Sequence, residues 1–247
     1  MPITLNDEIA RQYYATTAAR SHRHSLPHYQ SSSAGLLRWL KPWLPQDRGA
    51  RCLDLACGCG EMLFALEQRG YYRTVGVDLC AEEIQEARHF VRGQLVIADA
   101  LEFLARAPAA SFDFITALNF LEHLSKDQLR AVLTEARRVL TSGGVLVAMV
   151  PNAISPLGTL TRYWDITHER AFTPNNFRQL AALVGFDARV DFLECGPRPH
   201  GLVSTARWAL WQVVRAGIAF RFLIEVADTK GGVYTMDMLV RLHAEPA

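Results

Sequence analysis

The stretch Arg51-Cys52-Leu53-Asp54-Leu55-Ala56-Cys57-Gly58-Cys59-Gly60-Glu61 decides the fold of this chain. Residues 52–56 are mostly apolar, as in a strand that is buried on both faces of a parallel sheet. The glycines at 58 and 60 allow a tight turn and a close approach of the backbone to a ligand. Apolar residues then recur at helical spacing until Gly70 ends the pattern. A strand, a glycine turn and a helix in this order predict a small-molecule site at the carboxyl end of the strand.

A second predicted strand, residues 74–78, ends in a carboxylate, Asp78. This acid follows Gly60 at close to the ~20-residue offset at which an acidic residue meets a ribose. A dinucleotide fold would place a third glycine at the opening of the helix, where this chain has Leu63 or Phe64. Dinucleotide binding is therefore disfavoured.

The same motifs resemble those of class I S-adenosylmethionine-dependent methyltransferases. Residues 53–60 resemble the nucleotide-binding loop of that family and residues 75–78 its ribose-binding strand, and further matches follow in order at 96–100, 112–115 and 140–146. The resemblance spans about residues 35 to 195. It implies a Rossmann-like α/β fold, with a seven-stranded, mostly parallel sheet between helices on both faces and an antiparallel final strand. It also implies S-adenosyl-L-methionine as cofactor.

The resemblance implies a set of cofactor-binding residues at successive strand ends. Asp99 is expected to accept a hydrogen bond from the adenine amino group, and a role as the N-cap of the next helix is compatible with this. The expected cofactor residues are Asp54, Ala56, Cys57, Gly58, Gly60, Asp78, Leu79, Asp99, Ala100 and Asn119.

The implied reaction is an in-line displacement at the sulfonium methyl group by an oxygen of the acceptor. Such a reaction needs alignment, exclusion of water and removal of the hydroxyl proton. His168 and His123 are the candidate bases and Asp165 is a candidate orienting partner. Bracing of the loop by Asp165 and His168 is the alternative.

A metal is not expected. Some small-RNA and quinone methyltransferases have a glutamate where this chain has Asn119, and they bind a divalent metal through it together with a Glu-His pair. The pair is present here as Glu122-His123. An asparagine is a poor substitute for the charged ligand that a hard cation prefers.

The acceptor hypothesis depends on the apolar insert at about 201–227, which would suit a lipid-linked glycan, and on residues 163–174. This segment resembles the Asp-x-Thr-His-x-Arg-x-Phe-Thr segment of methyltransferases that are associated with polysaccharides and other glycosides, so a sugar hydroxyl of a glycan or glycoside is the predicted acceptor. Two alternatives remain: a small natural-product or quinone-like acceptor, and a non-catalytic protein that binds the cofactor or a partner. Candidate substrate contacts are Tyr14, His28, Tyr163 and Arg170.

The predicted organisation is an N-terminal lid over residues 1–34 and a methyltransferase domain over 35–247 with a helical insert at about 201–227. The insert is too apolar to stay uncovered. Burial in the core, a homodimer interface and peripheral contact with a membrane are the three explanations, in that order.

Composition narrows the class of protein further. The chain has 26 basic and 25 acidic residues, so no excess of positive charge points to nucleic acid as a partner. The five cysteines are an odd number, which is typical of reduced thiols in a cytosolic protein. No secretory signal and no uncharged stretch of the ~20 residues that span a bilayer are present. The predicted location is cytoplasmic or peripheral at the inner membrane.

Overall fold

A seven-stranded sheet organises the part of the chain that the computed structural model describes, residues 8–9, 25–229 and 231–245. The strand order is β3-β2-β1-β4-β5-β7-β6, and β7 is antiparallel to both of its neighbours while β1 to β5 are parallel. The predicted fold class is therefore confirmed. The strands are β1 Arg51–Leu55, β2 Arg73–Asp78, β3 Gln94–Ile97, β4 Phe112–Leu118, β5 Leu140–Pro151, β6 Val190–Glu194 and β7 Asp237–His243.

Helices cover both faces of this sheet. One apolar core packs around Leu104, Leu133 and Phe177, and the opposite face buries Leu40 and Leu66. The helices are α1 Leu26–Leu40, α2 Glu61–Glu67, α3 Ala81–Ala87, α4 Ala100–Arg106, α5 Lys126–Val139, α6 Gly158–Arg162, α7 Pro174–Val184 and α8 Leu202–Val226.

Several element boundaries differ from those that the periodicity predicts. The third helix was expected over 81–92 but ends at Ala87, because the chain must return to the sheet edge at Gly93, where a Cβ atom would lie 2.0 Å from the Thr74 hydroxyl. β5 extends beyond the expected 145–150, since Leu140 already pairs with Phe112. β6 and β7 begin later than expected, at Val190 and Asp237.

The helix α7 begins and ends as its sequence predicts. The Thr173 hydroxyl accepts a hydrogen bond from the Asn176 backbone N–H, and the Asn176 side chain accepts one from the Thr173 N–H, which forms a reciprocal capping box. Pro174 occupies the first turn, and Gly185 ends the helix with a φ of +79°. Only a residue without a Cβ adopts that conformation at low cost.

The insert is a single 25-residue helix, α8, none of whose side chains is buried. Leu210 is 68 % exposed, Val213 73 % and Phe220 64 %. Burial of the insert in the core, the first of the three explanations, is therefore wrong. Among the described residues, no helix is both long enough and apolar enough to cross a membrane.

Most of the predicted lid lies outside the described residues, including Tyr14. Residues 26–34 form the first part of α1, which continues without interruption to Leu40. The buried Tyr29 ring of α1 stacks on Phe90 and its hydroxyl donates to the Cys59 carbonyl at 2.6 Å. This helix therefore holds the glycine turn from outside, and a lid formed by the preceding residues stays a prediction.

Candidate functional site

A cavity of about 560 Å³ opens at the carboxyl ends of β1, β2 and β4. Nine of the ten predicted cofactor residues line it, and the tenth, Gly60, does not. The remaining lining includes residues of α1, the segment after β4 and one residue of the 163–174 segment, together with residues of α2, α3, α5 and the neighbouring strands. The lining residues are Ser32, Gly35, Leu36, Trp39, Asp54, Ala56, Cys57, Gly58, Glu61, Met62, Val77, Asp78, Leu79, Glu83, Ala98, Asp99, Ala100, Leu118, Asn119, Phe120, His123, Leu124, Gln128, Met149 and Thr167.

The glycine turn after β1 serves both the cavity and the packing behind it. Gly58 has a φ of +53° and contributes to the cavity wall. Gly60 has a φ of +84°, and a Cβ atom there would lie 2.8 Å from the Val91 side chain. Gly60 therefore supports the site indirectly, by letting the residues after α3 pack against the turn. This is why the motif requires both glycines although only one lines the cavity.

Two residues other than glycine also adopt left-handed backbone conformations at the cavity. Ala56 and Asn119, at the ends of β1 and β4, each have a φ of +53°. Such a conformation costs about 1–3 kcal/mol and is often found at ligand sites. The Asn119 backbone N–H donates to the Met149 carbonyl at 2.9 Å, which fixes this turn against β5.

Asp78 shapes the turn as well as the ribose position. Its carboxylate accepts hydrogen bonds from the Gly58 and Cys80 backbone N–H groups, each at 2.8 Å. Burial raises the pKa of this carboxyl, although the backbone donors oppose the effect. The side chain thus connects the ends of β1 and β2 at the edge of the cavity.

The floor of the cavity is acidic. Asp54 is 3 % exposed and accepts a hydrogen bond from the Thr116 hydroxyl at 2.6 Å, and burial raises its pKa to about 7. Burial, assisted by the Asp78 charge, raises the pKa of Glu83 to about 8. Glu61 completes the group, and no lysine or arginine appears among the described residues that line the cavity. Buried carboxyls without cations are suited to a positively charged ligand.

Glu83 was missed by the sequence analysis. It lies in α3 together with two other glutamates, and a charged residue of such a helix is normally expected to face solvent. In the structure a Cβ atom on Gly58 would lie 3.7 Å from its carboxylate. In the sequence, the short distance between Glu83 and the end of the ribose-binding strand was the only indication that this side chain reaches the cavity.

Asp99 combines the two roles that were considered for it. Its carboxylate accepts a hydrogen bond from the Glu102 backbone N–H at 3.0 Å and so caps α4. It also lines the cavity next to Ala100. The cap fixes the direction of the carboxylate, so the two roles are compatible.

A chain of hydrogen bonds connects Asp165 to the cavity. The Thr167 hydroxyl donates to Asp165 Oδ1 at 2.6 Å and lies 2.7 Å from His123 Nδ1. Because a hydroxyl has one proton to donate, this arrangement requires the proton of the neutral imidazole to be on Nδ1 and the lone pair on Nε2. His123 and Thr167 line the cavity and Asp165 stands behind them.

The surroundings keep His123 neutral. Burial, and to a lesser extent His168, lowers its pKa to about 4, while Asp165 and the Asn119 carbonyl favour the protonated ring. His123 is therefore neutral, and able to accept a proton, at any pH well above 4. The pKa of Asp165 is lowered because its hydrogen bonds to Thr167 outweigh the effect of burial.

His168 lies behind His123 rather than in the cavity wall. The two rings meet edge to face at 4.8 Å, and His168 Nδ1 is 2.8 Å from the Thr161 carbonyl. The Arg162 guanidinium donates to the His168 carbonyl. These contacts place His168 as a support for His123 and for the loop.

The Glu122 carboxyl joins the two histidines in a group with the donor set of a metal site. One ligand atom from each of Glu122, His123 and His168 lies within 4.8 Å of the others. Glu122 is 1 % exposed, its Oε2 has no hydrogen-bond partner, and burial raises its pKa to about 8. A divalent metal would fit these three ligands, and the expectation that no metal is bound stays a prediction.

The three predicted substrate contacts that the structure describes, His28, Tyr163 and Arg170, do not line the cavity, and Tyr14 lies outside the described residues. His28 Nε2 is 3.7 Å from the Glu61 carboxylate at its edge. Tyr163 is 74 % exposed beneath the Arg162 guanidinium, and Arg170 has a buried Nε atom without a partner. Apolar residues line the cavity instead, including Trp39 of α1.

Part of this chain is similar to known methyltransferases. Residues 53–148 match the family model of a methyltransferase domain. The ubiquinone biosynthesis O-methyltransferase of Idiomarina loihiensis is 35 % identical over 100 residues, 39 % of this chain and 40 % of that protein. Its counterpart in Xanthomonas campestris is 33 % identical over 102 residues, 40 % and 41 % of the two chains. The chain thus spans about two fifths of the length of these curated relatives.

Solved structures share the fold over a larger part of the chain. An S-adenosylmethionine-dependent methyltransferase from Archaeoglobus fulgidus superposes with a TM-score of 0.64 and 21 % identity, covering 87 % of this chain and 94 % of that one. A methyltransferase from Haloferax volcanii, solved with its activator Trm112, gives a TM-score of 0.65 and 16 % identity over 96 % and 98 %.

The acidic floor agrees with the charge of the cofactor that this fold binds, because S-adenosylmethionine carries a sulfonium and an ammonium group. Residues 53–148 therefore match a methyltransferase domain, and the fold around them is the one found in solved S-adenosylmethionine-dependent methyltransferases.

Proposed function

We propose that this chain transfers a methyl group from S-adenosylmethionine to a hydroxyl oxygen of a small, largely apolar acceptor of the phenol or quinone-precursor class. The observation that carries the proposal is the hydrogen-bonded chain from Asp165 through Thr167 to His123, which ends at the cavity. In this arrangement His123 is the base, and its tautomer is set by the hydrogen bond to Thr167.

The acidic floor and the strand ends hold the cofactor. Asp78 accepts from ribose hydroxyls, Asp99 from the adenine amino group, and the carboxyls of Asp54, Glu61 and Glu83 attract the positive charges. The bound cofactor supplies a methyl group that is already reactive because it is attached to a sulfonium. The protein then has to position an acceptor oxygen, exclude water and remove a proton.

His123 removes the proton from the acceptor hydroxyl at Nε2. Asp165, acting through the Thr167 hydroxyl, stabilises the positive charge that develops on the ring. A pKa of about 4 makes His123 a weak base in the resting protein, so the negative charge of Asp165 matters most as the proton moves. A phenol is easier to deprotonate than a sugar hydroxyl and suits such a base.

The walls near His123 favour an apolar acceptor. The cavity that His123 lines also has apolar side chains in its wall, among them Leu36, Trp39, Leu118, Phe120, Leu124 and Met149. A sugar is usually held by several polar side chains, and the predicted sugar contacts Tyr163 and Arg170 lie elsewhere. The curated relatives named above are ubiquinone biosynthesis O-methyltransferases. These observations support the quinone-like alternative over the glycan.

An acceptor assay with radiolabelled cofactor tests the proposal. Catechols and other phenols should be methylated, whereas sugars and oligosaccharides should give background counts. His123→Ala should lower turnover of the phenol by ~10²–10⁴-fold. Calorimetric affinity for S-adenosylhomocysteine should stay nearly unchanged, because His123 is not one of the residues expected to bind the cofactor.

Two variants separate the base from its supports. Thr167→Val keeps the shape of the side chain but removes the link to Asp165, so turnover should fall and the acidic limb of the pH–rate profile should shift. His168→Gln should reduce thermal stability more than turnover. A fully active His123→Ala protein, or methylation of sugars alone, would contradict the proposal.

A further inference from the structure

The outer face of α8 is an apolar surface that nothing in the described part of the chain covers. The inner side of the helix rests on the domain through Trp211, Arg215 and Phe222, with Arg215 paired to Glu194 at 2.9 Å. We define the outer face by the residues that point away from these contacts. They are Leu202, Ala206, Leu210, Val213, Phe220 and Ile224.

This outer face is wide as well as long. At 1.5 Å per residue the helix is ~38 Å long. Its large apolar side chains are mostly exposed: the exposed fraction is 92 % for Leu202 and 70 % for Ile224. Leu223, on one margin of the face, is 52 % exposed. Val214 on the other margin is also 52 % exposed, so the apolar arc is wider than the narrow seam that one partner helix covers.

Positive charge accompanies the apolar arc. The helix contains Arg207, Arg215 and Arg221 but one acidic residue, Glu225, which already pairs with Arg221 at 3.0 Å. Arginines beside an apolar helix face can extend their charged ends to the level of lipid headgroups.

A separate basic cavity of about 420 Å³ lies directly before α8 in the chain. His200, the residue that precedes Gly201 at the start of the insert, lines it. So do Arg38, Lys41 and Arg69 from α1 and the residues around it, and none of the described residues in its wall is acidic. These three cations have no ion-pair partner among the described residues, so the cavity is suited to an anionic group such as a lipid phosphate.

We infer that the outer face of α8 and the basic cavity together form a docking surface for a membrane that contains anionic lipids. The helix lies in the interface with its apolar arc among the acyl chains, while the basic cavity, Arg207 and Arg221 meet the headgroups. The combination of exposed apolar residues with unpaired cations at one end of the same helix supports this occupant.

The charges argue against a second copy of this chain as the occupant. A two-fold symmetric interface brings the same patch of each subunit together. Two copies would therefore bring arginines and the basic cavities near one another, with one acidic residue per helix to offset them. An anionic bilayer supplies the opposite charge over the whole surface.

The docking surface is connected to the cofactor cavity by a short series of contacts. The Trp211 indole of α8 lies against Gly196, where a Cβ atom would be 3.1 Å from it. The Gly196 carbonyl accepts a hydrogen bond from Trp39 Nε1 at 2.9 Å, and Trp39 lines the cofactor cavity. Docking therefore involves the element that borders the acceptor side of the cavity.

Vesicle co-sedimentation of the full chain tests the inference without any assay of methylation. Vesicles of phosphatidylcholine with a third of phosphatidylglycerol should sediment the protein, and vesicles of phosphatidylcholine alone should bind it much more weakly. Phe220→Glu and Val213→Glu place a charge in the apolar arc and should abolish sedimentation. Leu183→Glu, at an exposed apolar position on α7, is the matched control and should bind as wild type.

The basic cavity has its own variant. Lys41→Gln combined with Arg69→Gln should weaken binding to the anionic vesicles by ~25-fold, since each cation near such a surface contributes roughly five-fold. Light scattering of each variant without lipid monitors folding and subunit number.

Three results would overturn the inference. Wild-type protein that stays in the supernatant with anionic vesicles excludes membrane docking. Sedimentation that Phe220→Glu leaves unchanged places the contact elsewhere. A dimer that Phe220→Glu converts into folded monomers, without vesicle binding by wild type, assigns the outer face to a second copy.

Discussion

Charged side chains are usually exposed and apolar side chains usually buried, but the floor of the cofactor cavity and the outer face of α8 show the opposite arrangement. The floor buries the carboxyls of Asp54 and Glu83, whereas the helix exposes Leu210 and Phe220 to water. Burial of a charge without a partner and exposure of an apolar face both cost free energy. Each region is therefore energetically unfavourable in the isolated chain, and the occupants proposed above, a cationic cofactor and an anionic membrane, have the opposite character.

Removal of one acid from the floor is expected to have the largest effect. Asp78→Ala should weaken S-adenosylmethionine binding by ~1.5–3 kcal/mol, or roughly ten-fold to a hundred-fold, because hydrogen bonds to the ribose and the brace on Gly58 are lost. Calorimetry measures the affinity. Asp127→Ala, which removes an exposed acid from α5, serves as control, and an unchanged affinity for the first variant would separate Asp78 from the cofactor.

The charge of the floor should make cofactor binding depend on pH. Burial raises the pKa of Asp54 to about 7 and that of Glu83 to about 8, so these groups are largely neutral below their pKa and attract a cation only when ionised. The affinity for S-adenosylmethionine should therefore rise by about ten-fold between pH 5.5 and 7.5. S-adenosylhomocysteine, which lacks the sulfonium charge, should show a weaker dependence. Equal slopes for the two ligands would remove the electrostatic role of the floor.

The buried Glu122 carboxyl extends the comparison to stability. Burial raises its pKa to about 8 from 4.5, so the folded protein retains a proton that the unfolded chain releases, and stability decreases as pH rises from 4.5 to about 8. Glu122→Gln stays neutral, and its advantage in Tm over wild type should grow across this window, by ~2–4 °C for each kcal/mol.

The same titration bears on the metal. If Glu122, His123 and His168 hold a divalent ion, Glu122→Gln will instead lower Tm at pH 8 and a chelator will lower the Tm of wild type. An unchanged Tm after chelation agrees with the expectation that no metal is bound.

Truncation on the outer face of α8 should have the smallest effect. Leu210→Ala should change the free energy of unfolding in urea by less than ~0.5 kcal/mol, because the side chain has few contacts to lose. Phe177→Ala in α7, whose ring is fully buried, should cost about 3–5 kcal/mol. A large loss for Leu210→Ala without lipid would mean that the face is already covered, as in a dimer.

The cofactor half of the site could be predicted because it is local in sequence. The strand, the glycine turn and the acids at the strand ends are contiguous motifs, and parallel strands bring their carboxyl ends to one edge. Nine of ten predicted residues consequently share one cavity. Gly60 is the exception. The sequence shows that a glycine is needed at this position, but it does not show whether the reason is a ligand or, as here, the close packing of the Val91 side chain.

The acceptor half could not be predicted in the same way. Thr167 meets His123 across 44 residues of chain, and Trp39 approaches from a helix that precedes the motif. Tyr163 and Arg170 looked like ligand contacts because polar and aromatic residues are dense there, but their directions depend on how the loop packs. The burial of Glu83 also depends on packing, since the adjacent Glu82 of the same helix is exposed.

The sequence by itself determined the ends of helices such as α7, because capping and backbone sterics act over a few residues. Its resemblance to a known family also implied the seven-stranded, mostly parallel sheet and the class of cofactor. The sequence also determined that residues 201–227 are too apolar to be left in water. Only the tertiary structure decided that α8 lies outside the core, and that His123 rather than His168 reaches the cavity. Both depend on which surfaces remain after the sheet has packed its helices, and that is a property of the whole fold.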